Sequence, residues 1–218
     1  MSRAQDHPEV LSTHAAVSHA GGGDEATPFP AGLDPLEPST APAPVATATD
    51  RYPEVLRTTL GETSAYEWAH GRAYVHASLD QVFAAMREPD VVTDRRRVSE
   101  YTVMRNSEPQ YPESFRVHNV VHDIITLEFD IDWRLGLNEA ASPRVALGRY
   151  QKTNGTTFIT LLAGSVQARQ IEANVTEIEL VRRIKSAGSG AVDAEQYLRD
   201  YYANILARVR GQALPTFR

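Results

Sequence analysis

The chain has 218 residues, 42% of them apolar, a formal net charge of −6 and no cysteine. That is enough apolar material for one core of ordinary size, while the missing thiols exclude disulfides and leave a zinc ion only histidine and carboxylate ligands. Residues 1–51 hold seven acidic and two basic side chains, so the remainder is nearly neutral and offers no electrostatic footprint for nucleic acid.

The N-terminus lacks the continuous apolar core of a signal peptide, and no run of about 18 apolar residues occurs anywhere. A cytoplasmic protein with no stable membrane insertion is therefore expected. Residues 1–52 contain more than half of the thirteen prolines, a GGG run and stretches such as PLEPSTAPAPVATATD that follow neither helical nor strand periodicity. They are expected to form a disordered acidic tail, with docking of a protein partner or a regulatory role as the alternative to a merely solubilising one, and its removal is expected to leave the melting temperature nearly unchanged. Residues 53–69 read as a lead-in that holds at most a short strand.

The domain proper is expected at 70–214. GRAYVHAS places Ala73, Val75 and Ala77 on one face of a first strand, and Ser78 followed by Gln81 has capping-box spacing. The helix so started buries Leu79, Val82, Phe83 and Met86 and ends at Pro89, and PDVVTDRRRV reads as a second short helix entered through that proline. Strands follow at SEYTVMRN and ESFRVHNVVHD.

Then comes the clearest pattern in the chain. Ile125, Leu127, Phe129, Ile131, Trp133, Leu135 and Leu137 alternate with Thr126, Glu128, Asp130, Asp132 and Arg134. Seven apolar side chains in strict period two define one long strand, and their full burial would contribute roughly 10–20 kcal/mol. Three more strands are read at PRVALGRYQKT, TTFITLLAGSVQA and ANVTEIELVRRIK, the first two joined by a two-residue turn at Asn154-Gly155. After a loop of small residues, DAEQYLRDYYANILARVRG reads as a long amphipathic helix capped by Asp193 and Gln196 and stopped by Gly211.

One strand, two short helices, six antiparallel strands and a long C-terminal helix is the order of the helix-grip fold. Through VHASLDQVFAAMREPDV and YLRDYYANILARV, the chain from about 70 to 214 resembles the superfamily of START lipid-transfer domains, the major birch pollen allergen and polyketide cyclases. The resemblance implies an α+β fold in which a curved seven-stranded antiparallel sheet wraps the last helix and encloses a cavity for a hydrophobic ligand. Carried to this chain, the cavity wall would comprise Phe115, Val117, Phe129, Ile131, Trp133, Leu147 and Tyr201, unless these residues simply fill a solid core.

Polar residues on an inward parity are the sharper signal. Asn119 shares its face with Phe115, Val117 and Val121, and Arg149 shares its face with Val145 and Leu147. A guanidinium facing an apolar space needs a carboxylate, a route to the sheet edge or an anionic ligand group. Arg149, Asn119 and Tyr201 are accordingly the expected polar ligand contacts. His118 and His122, four apart in a strand, lie about 13 Å from one another, so no metal site is read there. Asp130 and Asp132 read as a solvated outward stripe, and Arg95, Arg96 and Arg97 as solubilising charges near a turn.

No nucleophile elbow, zinc-protease motif or phosphate-binding glycine loop occurs, and no catalytic residue or cofactor is assigned. The leading expectation is non-catalytic binding or carriage of a hydrophobic or amphipathic small molecule. A cyclase- or aromatase-type enzyme using the same cavity and a protein-interaction module are the alternatives.

Overall fold

The structure, a computed structural model, describes residues 33–188 and 190–217. Eight strands form a single antiparallel sheet: β1 (Arg57–Glu62), β2 (Glu67–Val75), β3 (Glu100–Arg105), β4 (Glu113–His122), β5 (Thr126–Asn138), β6 (Val145–Gly155), β7 (Ile159–Glu172) and β8 (Val175–Ser186). Their spatial order is β1-β2-β8-β7-β6-β5-β4-β3. Between β2 and β3 lie α1 (Leu79–Met86) and α2 (Pro89–Val92), and the chain closes with α3 (Ala191–Val209) on the concave face.

The strand beyond the expected seven is β1, which falls in the lead-in. Its sequence RTTLGE has a single large apolar residue because the strand lies at an exposed edge, so alternation could not reveal it. The helix signals behave as their chemistry requires. Ser78 Oγ accepts from Gln81 N at 3.3 Å and Gln81 Oε1 accepts from Ser78 N at 3.0 Å, closing the capping box of α1. At the other end of the fold Gly211, at φ 66°, lets its own N–H reach Arg208 O and the N–H of Gln212 reach Ala207 O, a Schellman stop for α3.

Three local expectations are corrected. The N-cap of α3 is Gly190, and Asp193 sits one turn inside, its carboxylate accepting from Gly190 N at 3.2 Å. The helix α2 stops at Val92 rather than continuing through the arginines. Asn154 and Gly155 are no turn: they extend β6 opposite Asp130 and Phe129 of β5, and the β6–β7 connection falls at 156–158.

The larger correction concerns the N-terminal tail. Residues 1–32, and any partner role for them, lie outside the described residues. Residues 33–52 adopt no regular element, yet from Leu33 to Thr40 the chain crosses the convex face of the sheet strand by strand. Leu33 packs over Gly136 of β5, Asp34 O accepts from Arg149 of β6 at 3.1 Å, and Leu36 N donates to Ser165 Oγ of β7 at 3.1 Å. Glu37 accepts from Arg183 of β8 at 2.9 Å, and Thr40 N donates to His70 Nδ1 of β2 at 3.0 Å. Because Nδ1 accepts, the His70 proton resides on Nε2, which donates to Glu37 at 3.0 Å. This strap is polar and proline-rich because it binds through its backbone and through side chains at its edges, which leaves no hydrophobic period to read.

Candidate functional site

Side chains alternate between the two faces, so register decides which reach the concave side. On β4 and β5 the odd-numbered residues point inward, as expected. On β6 the inward residues are the even ones, Ala146, Gly148 and Tyr150, opposite inward Ala168, Val166 and Gly164 of β7. Leu147 and Arg149 therefore lie on the convex face. Arg149 is buried there beneath the strap, and burial first, then the neighbouring Arg134 and Arg183, lowers its pKa. Neither residue contacts the concave space, which removes both from the expected ligand site. Large apolar parity misled because both faces of this sheet are covered.

The concave space divides in two. Its middle is a solid aromatic core: Trp133 stacks on Tyr150 at 4.3 Å and on Phe115 at 6.1 Å, and meets Tyr201 edge-on at 6.1 Å. Phe115 and Tyr201, expected in the cavity wall, belong to this core. Burial pushes the Tyr201 phenol up, and its hydroxyl has no hydrogen-bond partner among the described residues.

Toward the end bearing the β4–β5, β6–β7 and β8–α3 loops, the sheet and α3 separate around a cavity of about 180 Å³. Val117, Asn119, Phe129, Ile131 and Trp133 line it, together with Leu127, Leu162 and Ile184. Asn119 spends its amide on the backbone, Nδ2 donating to Val117 O at 2.9 Å and to Phe129 O at 3.3 Å, so it shapes the wall rather than presenting free donors.

The cavity's charged groups come mainly from the segment after α2, from β8 and from α3. Arg96 pairs in bidentate fashion with Asp200 of α3, at 2.9 and 3.1 Å, and Arg97 pairs with Asp193. Arg95 Nη2 donates to Asn204 Oδ1 and Pro215 O. The arginine run thus ties the segment after α2 to α3, and two of its members face the cavity. Asp130 and Asp132 do point outward, yet they are buried, Asp132 held by Arg116 at 2.6 and 2.8 Å and Asp130 by His118 at 2.8 Å.

Arg182 was missed altogether. It is 5% exposed, lines the cavity and lies 3.7 Å above the ring of Tyr197, with Asp94 Oδ2 at 3.8 Å. Burial raises the Asp94 carboxyl pKa, an effect that Arg182 opposes and Asp200 reinforces. Tyr197 is raised well above its ordinary value, again chiefly by burial, and its hydroxyl donates to Val92 O at 2.9 Å. The sequence signal for Arg182 is that it interrupts Ile178, Leu180 and Ile184 on the inward parity of β8, as Arg149 interrupts an apolar parity on β6.

No protein-family model matches the sequence, and neither does any curated protein. Solved structures do match the fold. Human StAR-related lipid transfer protein 5 is 12% identical, with 74% of this chain and 85% of that one covered and a TM-score of 0.53. For human STARD10 the identity is 6%, the coverage 70% and 69%, and the TM-score 0.51. The Zhui aromatase/cyclase from a Streptomyces strain is 16% identical over 72% of this chain and 93% of that one, at a TM-score of 0.41. The architecture is the START-like helix-grip fold that the order of elements implied. Among the described residues no helix is long and apolar enough to cross a membrane.

Proposed function

We propose that this chain binds or carries a hydrophobic or amphipathic small molecule in the cavity between the loop end of the sheet and the first turns of α3. The observation that carries the reading is the cavity itself, since about 180 Å³ is left open beside a packed aromatic core, walled mainly by apolar side chains and furnished with a few charged ones. The shared fold with proteins named for lipid transfer supports it. The volume is small for a ligand site, which favours a compact or single-chain molecule over a two-chain lipid. Lack of cysteine supports action in a reducing cytoplasm.

Native mass spectrometry followed by organic extraction, on protein purified from its own host, tests the proposal. The wild type should carry one small molecule per chain. The variant Ile131→Trp, which fills the cavity from its wall, should fold and emerge empty. A clean apo mass for the wild type, with no shift of the Trp133 resonance on titration with a panel of apolar compounds, would overturn the reading.

A further inference from the structure

Arg182 ends a cross-strand row that borders the aromatic core, and the two ends of that row, Trp133 and Arg182, line the cavity. Trp133 of β5 is opposite Tyr150 of β6, Tyr150 opposite Gly164 of β7, and Gly164 opposite Arg182 of β8. The glycine is required by close approach, since a Cβ at 164 would come within 2.1 Å of the Tyr150 ring. The phenol thereby lies across Gly164 toward Arg182. The Tyr150 hydroxyl lies within reach of both Arg182 and Tyr197 and interacts with each, yet among the described residues neither it nor Arg182 Nε closes a hydrogen bond of ordinary geometry.

A guanidinium offers five N–H donors, and leaving them unmet in a buried site is costly. The nearest carboxylate oxygen to Arg182, at 3.8 Å, is beyond hydrogen-bond range, and the Tyr197 ring covers one face of the cation without accepting in its plane. Arg182 therefore lines the cavity with its donor capacity only partly used. The charge balance says what kind of acceptor suits it. The lining carries three arginines, 96, 97 and 182, against four aspartates, 94, 123, 193 and 200. Arg96 and Arg97 are already paired with Asp200 and Asp193 and Arg182 stands beside Asp94, so a carboxylate ligand would find no uncompensated cation, whereas a cationic ligand would meet Arg182.

Resting on the reading above, we propose that the bound molecule is an uncharged apolar compound with a carbonyl oxygen, and that Arg182 donates to that oxygen and selects for it.

The test is an NMR titration of the full chain with acetophenone, ethylbenzene and benzoate, which share a ring and differ only in the polar group. The chain has two tryptophans, of which Trp133 lines the cavity and Trp68 packs against His70 on the other face, so the indole of Trp133 reports binding and that of Trp68 serves as the control. Acetophenone should bind about tenfold more tightly than either analogue, the effect of one hydrogen bond from a charged donor. In Arg182→Met its affinity should fall to that of ethylbenzene. If this variant does not fold, Arg182→Lys, which keeps the charge but loses the planar fork, should still reduce the preference.

Equal binding of acetophenone and ethylbenzene to the wild type would overturn the role of Arg182 and leave the cavity reading standing. Tightest binding of benzoate would overturn the uncharged ligand. Binding of none of the three would overturn this inference, and the cavity reading falls with it only if the chain from its native host is also empty and a wider panel of apolar compounds leaves Trp133 unshifted.

Discussion

Two arginines, Arg149 and Arg182, are buried against opposite faces of one sheet, 7% and 5% exposed, in nearly the same sequence setting. Each interrupts an apolar parity within a strand. Arg149 on the convex side lies under a strap whose Asp34 carbonyl takes one of its donors, among other arginines that make its charge less favourable. Arg182 on the concave side faces open volume, an aromatic ring and a carboxylate held just out of hydrogen-bond range. The contrast teaches that a buried arginine becomes a ligand contact through the space in front of it, and alternation in its own strand says nothing about that space.

The convex side can be broken most severely by removing its cover. A chain lacking residues 1–52 should melt roughly 10 °C below one lacking only residues 1–32, as expected if the strap contributes a few kcal/mol to a domain of this size. Equal melting temperatures would show the strap to be dispensable.

On the concave side, Gly164→Ala would force the Tyr150 ring away from Arg182 and should cost about 2–3 kcal/mol in urea unfolding. A cost below about 0.5 kcal/mol would mean that the ring has room to spare.

Glu37→Gln probes the strap's clasp and should cost about 1 kcal/mol at neutral pH, since the carboxylate is partly exposed. Burial alone would raise the Glu37 pKa, but the hydrogen bonds from Arg183 and His70 outweigh it and hold the pKa below 4.5. A depressed carboxylate pKa stabilises the fold above its unfolded value and ceases to do so as pH falls through its folded one. The gap between wild type and Glu37→Gln should therefore be constant above about pH 4.5 and close in more acidic solution, as read by urea midpoints across pH.

The smallest effect is expected of Arg149→Met. Replacing a poorly compensated buried cation with an apolar side chain should change stability by no more than about 1 kcal/mol and leave the acetophenone affinity unaltered. A loss of affinity matching that of Arg182→Met would return Arg149 to the ligand site.

How much was legible follows from how each feature is encoded. The caps at Ser78 and Gly211 were readable because their partners lie within a few residues, and the long strand β5 because its inner face is continuously apolar. Phe129, Ile131, Trp133, Val117 and Asn119 line the cavity, on the inward parity that alternation with polar residues marks on β4 and β5. On β6 the rule inverted, since inward Gly148 leaves room for Leu135 and Val166, while outward Leu147 and Arg149 lie on the face crossed by the strap.

The sequence by itself determined β2 to β8 in their order, the start of α1 and the stop of α3, which arise from local periodicity and from hydrogen bonds between near neighbours, while the helix-grip architecture came through resemblance of that order to a known fold. Tertiary structure alone decided the rest. That the strap covers the convex face, that three arginines after α2 clamp the closing helix, and that Arg182 looks into an unfilled volume all depend on groups distant in the chain. Which face of a strand is roofed, and where packing leaves a gap, are properties of the assembled layers and have no period in the sequence.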